Sequence, residues 1–136
     1  MERLYCAATA AGIGAVLIVA TKLTPDARGF GTHRQLGLSD CAWAMWFKKP
    51  CMTCGMTTSF AHTADGDFVS GFLAQPAGFL LCILASAVFW CCAFDAVIGT
   101  GMSLACLQRV KGSTIVTIVT ILALAWWYKS LTWPNT

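Results

Sequence analysis

Residues 48–68 read KKPCMTCGMTTSFAHTADGDF, and within them Cys51 and Cys54 stand three positions apart. That spacing sets two thiols on one side of a tight turn, and a third cysteine, Cys41, precedes them by ten positions. Three chemistries fit. As thiolates, the three would supply most of a tetrahedral shell for a metal ion such as zinc. His62 lies eight residues past Cys54, so a continuous helix carries it about 12 Å away, out of reach of an ion whose bonds are about 2 Å long. His33 lies in the preceding linker, and nothing in the spacing fixes it to the site. Alternatively, a helix N-terminus together with Lys48 and Lys49 would hold Cys51 as a reactive thiolate that Cys54 resolves. The β-α-β pattern that usually accompanies such redox pairs is absent. The third chemistry is a structural disulfide, joining Cys41 to Cys51 or Cys54 or closing within the C-x-x-C, on whichever membrane face is oxidising.

Other chemistry-bearing residues carry weaker signals. His62 has Asp65 and Asp67 for neighbours, and reads as a solvated histidine ahead of a titrating or metal-binding one. Asp95, inside an apolar run but near its end, reads as an interfacial acid ahead of a proton or ion site. Cys6, Cys82, Cys91, Cys92 and Cys106 sit in or beside apolar runs and read as small hydrophobes. No Ser-His-Asp arrangement, phosphate-binding glycine loop or HExxH helix occurs, so any catalysis would come from the thiols and the reading leans against an enzyme.

The elements that must position these residues belong to a membrane protein. Of 136 residues 57% are apolar and 11% charged, against roughly 25% charged in soluble domains. Leu4–Leu23 carries Lys22 as its single charge, Pro76–Ile98 carries only Asp95, and Ser113–Tyr128 carries none. At 1.5 Å rise per residue the first two cover a hydrocarbon core of about 30 Å, and the third does so by extending to Leu131 with Lys129 snorkelling. Trp126, Trp127, Tyr128 and Trp133 suit the headgroup boundary. The first run lacks a small-x-small cleavage site and reads as an uncleaved anchor. Within it, Gly12 with Ala8, or Gly14 with Ala10, offers small-xxx-small spacing for close helix packing. Counted near the span ends, Lys22, Arg28, Arg34 and Lys129 outnumber Arg3, Arg109 and Lys111, which assigns the long connection to the cytoplasm. A net charge of +3 without basic runs interleaved with aromatics gives no support for nucleic acid as a partner.

Between the first two spans, Thr24–Gly37 reads as an irregular linker. Ser39 or Asp40 is expected to cap a short helix that places Trp43, Trp46 and Phe47 on one interfacial face. After Lys48, Lys49 and Pro50 a second helix is expected over Met52–Ala64, with Cys51 or Thr53 at its start and Gly66 past its end. Asp67 caps a third piece, Phe68–Ala74, and Pro76 bars residue 75 from helical geometry.

The order Cys41, eight residues, Pro50-Cys51-x-x-Cys54-Gly55-x-Thr57, then Gly66-Asp67 and a Gln75-Pro76 step into an apolar span, resembles the domain-of-unknown-function 2752 family. That family comprises small bacterial membrane proteins with a P-C-x-x-C-G-x-T-R core, a G-D step and an N-P step. The resemblance covers about residues 38–98. Met52 stands where proline is frequent, Thr58 where arginine is usual and Gln75 where asparagine is usual. It implies a membrane location and no assigned activity.

Sequence and resemblance together describe an all-α, multi-pass protein of the bacterial inner membrane, a single membrane domain over 1–136. It has spans at about 4–23, 76–98 and 113–131, and a cysteine-bearing interfacial or re-entrant hairpin at about 38–75. The expected role is a small membrane subunit or scaffold whose hairpin, held by the cysteines, meets other membrane proteins in the bilayer. The alternative is a thiol-redox or metal-binding protein acting through Cys41, Cys51 and Cys54.

Overall fold

Long apolar runs set the frame. In the computed structural model, which describes residues 2–39, 41–99, 101 and 112–133, the runs form α1 (Glu2–Lys22), α5 (Pro76–Ile98) and α6 (Gly112–Thr132). Between α1 and α5 come a 3₁₀ helix (Thr32–Leu36), α2 (Ala42–Phe47), α3 (Met56–Ala64) and α4 (Phe68–Ala74). The described residues contain no strand. By length and composition α1 and α5 are each able to cross a membrane, whereas the apolar part of α6, Val116–Thr132, is shorter. Large apolar side chains such as Ile18, Leu84, Val97 and Leu124 face outward.

α1 lies along α5, with Arg3 donating to Ile98 O at 3.1 Å, so the start of one helix meets the end of the other. Their seam is made of small residues: Cys6, Ala10 and Cys92 are buried together, flanked by Val88 and Phe89. A Cβ on Gly14 would meet the Phe89 ring at 3.0 Å, whereas one on Gly12 would meet nothing within 4 Å. Of the two small-residue pairings, the seam therefore uses Gly14 with Ala10.

α3 and α4 cross on α5 through small polar residues rather than large apolar ones. Ser59 shares its hydroxyl between Gly71 O (2.7 Å) and Gln75 O (3.0 Å), and Thr63 donates to Ser59 O at 2.7 Å. A Cβ at Gly71 would stand 2.6 Å from Thr63 Oγ1, so only glycine lets the two helices close. Asp67 caps α4, accepting from Ser70 N at 3.1 Å, and Gln75 is extended (φ −163°) ahead of Pro76 at the start of α5.

Several local expectations change. The linker contains the 3₁₀ helix, held by the buried Thr32 hydroxyl, which accepts from Asp26 N (3.0 Å) and lies 2.8 Å from Thr58 Oγ1. The N-cap of α2 is Cys41 rather than Ser39, and Asp40 lies outside the described residues. α3 begins at Met56 rather than Met52, because Gly55 at φ +87° breaks the helical path. Lys129 does not snorkel to water: it is 5% exposed and donates to Gly29 O (3.0 Å) and Ala74 O (2.9 Å). Asp95, near the end of α5, is 3% exposed and partnered, and His62 lies 3.4 Å from the Asp67 carboxylate. Cys6, Cys82 and Cys92 are buried and Cys91 is exposed; Cys106, Arg109 and Lys111 lie outside the described residues.

Candidate functional site: a three-thiol centre

Chain reversal brings the cysteines together. Cys41 opens α2, its carbonyl accepting from Met45 N at 3.0 Å. The six-residue helix ends at Lys48, whose φ of +52° is left-handed, and buried Pro50 then turns the chain back beside Cys41. Cys51–Cys54 closes on itself, Cys54 N donating to Cys51 O at 3.1 Å, so both thiols leave the same side of the turn. The ligand atoms of Cys41, Cys51 and Cys54 all lie within 4.8 Å of one another, and the three are free thiols. Neither His62 nor Asp95 joins them.

Two remote side chains fix the turn by its carbonyls. Gln75 Nε2 donates to Met52 O at 3.2 Å, in the middle of C-x-x-C, and Trp126 Nε1 donates to Pro50 O at 3.1 Å. Gln75 is fully buried, and its Oε1 has no hydrogen-bond partner among the described residues. Gly55 follows Cys54 where no other residue fits: a Cβ there would sit 2.7 Å from Gly29 O and 3.1 Å from Ala74 O. Beside the thiols opens a cavity of about 510 Å³, whose wall includes His33, Arg34, Met45, Met56 and Trp133. Trp133 stacks on Phe30 at 4.4 Å between ring centres.

The environments of the two turn thiols differ. Burial pushes Cys51 up, but hydrogen bonds with the Thr53 hydroxyl, 3.3 Å away, and with Cys41 outweigh it and leave the thiol below its ordinary value. Cys54 is buried more deeply, and burial pushes it up to about 12. The expected cause of Cys51 acidity, a helix N-terminus, does not apply because Cys51 precedes α3 by a full turn; the hydroxyl and the neighbouring thiol act instead.

The donors fit a thiophilic ion. A tetrahedral ion with metal–sulfur bonds of about 2.3 Å holds its sulfurs about 3.8 Å apart, so the cluster needs to contract by no more than about 1 Å. Cys41, Cys51 and Cys54 would hold it. Gln75 and Trp126 escaped the sequence reading because their partners lie 23 and 76 positions away. The one available signal was a glutamine set between Ala74 and Pro76.

Fold and site together define a small all-helical protein with two candidate membrane spans and a thiol centre on the segment before the second. Residues 41–90 match the family described as "Protein of unknown function (DUF2752)", a match that takes in all three cysteines and the Gln75-Pro76 step. No curated protein and no solved structure matches the chain.

Proposed function

We propose that this is a multi-pass protein of the bacterial inner membrane, with α1, α5 and α6 as spans. Its membrane-edge hairpin, Cys41 to Pro76, binds a thiophilic metal ion through Cys41, Cys51 and Cys54. The observation that carries the metal is the approach of three unbridged sulfurs to within 4.8 Å of one another, where a redox pair or a disulfide needs only two. An ion bridging all three would also be the clip that holds the hairpin in shape for a membrane partner, so the scaffold role and the metal role coincide. The outward apolar faces of α1, α5 and α6 support lipid or another membrane protein as their surroundings. A cytoplasmic hairpin keeps the thiols reduced, the form that binds metal.

The contrast between Cys51 and Cys54 supports a second reading, a dithiol–disulfide couple in which Cys51 attacks and Cys54 resolves. Metal analysis and maleimide labelling of the purified full-length protein separate the two. About one ion per chain, with the three cysteines labelled only after chelation, is expected. Labelling that requires a reductant in place of a chelator favours the couple or the structural disulfide, and metal-free protein whose thiols are free and unreactive removes both the metal and the redox reading.

A further inference from the structure

The donor set distinguishes among thiophilic ions. Zinc in a structural site takes four ligands, yet among the described residues no imidazole nitrogen or carboxylate oxygen joins the three sulfurs. The nearest candidate by position, His33, lines the same cavity, but its Nε2 donates to Ser39 O at 3.2 Å. It rides on the 3₁₀ helix that Thr32 ties to Asp26 and Thr58. The Gln35 side chain ties the same helix to Thr24 through both the amide nitrogen and the carbonyl. Bringing His33 onto an ion at the cysteines would break its bond to Ser39 O, and the helix that carries it is held in place. An iron–sulfur cluster, with its four cysteine ligands, meets the same shortage.

What the cavity does offer is more soft sulfur. Met45, from the middle of α2, and Met56, the first residue of α3, line it beside the thiols, and Met45 is 58% exposed. Soft thiolate and thioether donors suit monovalent copper as well as zinc and iron–sulfur clusters, and of these copper(I) is the closed-shell ion that three sulfurs alone satisfy in a plane. Arg34 in the cavity wall, with Lys48 and Lys49 at the turn, provides positive charge near a centre that three thiolates and one monovalent ion leave negative.

We propose that the Cys41–Cys51–Cys54 centre is a copper(I) site, three-coordinate through the thiolates, with Met45 and Met56 as flanking soft donors at its mouth. This rests on the metal reading above and names its ion. In the test, reduced metal-free full-length protein in detergent is titrated anaerobically with copper(I) against a colorimetric copper(I) chelator, and in parallel with zinc against a zinc indicator. One copper per chain with three sulfur neighbours by X-ray absorption is expected, unchanged within about twofold in His33→Ala. Weakening by about tenfold is expected in the Met45→Leu/Met56→Leu double variant, the low end of the range for groups just outside a metal's ligands. Zinc that resists displacement by copper and is weakened by His33→Ala overturns the copper assignment while leaving a metal site in place. Copper binding that ignores the double variant overturns the flanking role of the methionines. Protein that takes up neither ion overturns both this inference and the reading beneath it.

Discussion

Cys51 and Cys54 share one turn, yet burial dominates only at Cys54, which therefore stays a neutral thiol until the solution approaches pH 12. At Cys51 the Thr53 hydroxyl and Cys41 favour the charged form, so its thiolate populates below the ordinary value of 9.0. In reduced, metal-free protein, iodoacetamide should therefore modify Cys51 at lower pH than an ordinary thiol and leave Cys54 untouched through pH 10. Peptide mass spectrometry across a pH series reads both. Thr53→Val should move the Cys51 profile upward without moving Cys54, and equal rates at the two cysteines would refute the assignment. At this scale much was legible: two cysteines at C-x-x-C spacing with a third upstream, and helical rise that keeps His62 away. The carbonyl bonds from Gln75 and Trp126 were not, since a side chain that grips a backbone atom 76 positions away leaves no local pattern.

Two glycines bracket α3, and they divide the cost of a left-handed residue from the cost of crowding. Gly55 (φ +87°) and Gly66 (φ +84°) share a backbone conformation, but a Cβ at Gly66 meets nothing within 4 Å, while one at Gly55 stands 2.7 Å from Gly29 O. Gly66→Ala should thus cost only the conformational penalty, about 1 kcal/mol. Gly55→Ala adds a collision with backbone that cannot rotate away, for a total of about 3 kcal/mol or more. Thermal unfolding of the two variants in the same detergent gives the difference, and equal losses would mean that the linker carrying Gly29 yields freely. Gly55 is also why α3 starts four residues later than the apolar and polar pattern suggested. α5, by contrast, was readable to the residue, because Pro76 and Gly99 mark its ends chemically. The 3₁₀ helix was illegible for the opposite reason. Thr32–Leu36 has no periodicity of its own, and its shape comes from Thr32 reaching Thr58 across 26 positions.

Across the whole molecule, the thiol centre is tied to the last helix by its side chains. α6 makes little helix-to-helix contact with α5; it holds on through Trp126 at Pro50 O, Tyr128 at Leu73 O and Lys129 at Gly29 O and Ala74 O. The Lys129 ammonium draws together the linker, the α4–α5 joint and Gly55, from which a Cβ would be only 3.2 Å away. Replacing Lys129 with Met removes the cost of burying an ammonium but leaves two carbonyls without their donor. A hydrogen bond to a charged group contributes about 1.5–3 kcal/mol, so the two outweigh the relief and the variant should lose about 2 kcal/mol. Because Gly55 adjoins Cys54, the same change should speed release of the bound ion to a chelator. Trp127→Phe, at a side chain 64% exposed, should alter neither stability nor release and serves as the control. Stopped-flow chelation and thermal unfolding give two separate readings. Lost stability with unchanged release would make Lys129 a brace for α6 alone, whereas loss of both makes α6 a wall of the cysteine centre. That coupling accounts for a cation placed among Trp126, Trp127 and Tyr128, where the sequence suggested a snorkelling anchor: its partners are carbonyls of the cysteine hairpin and its linker.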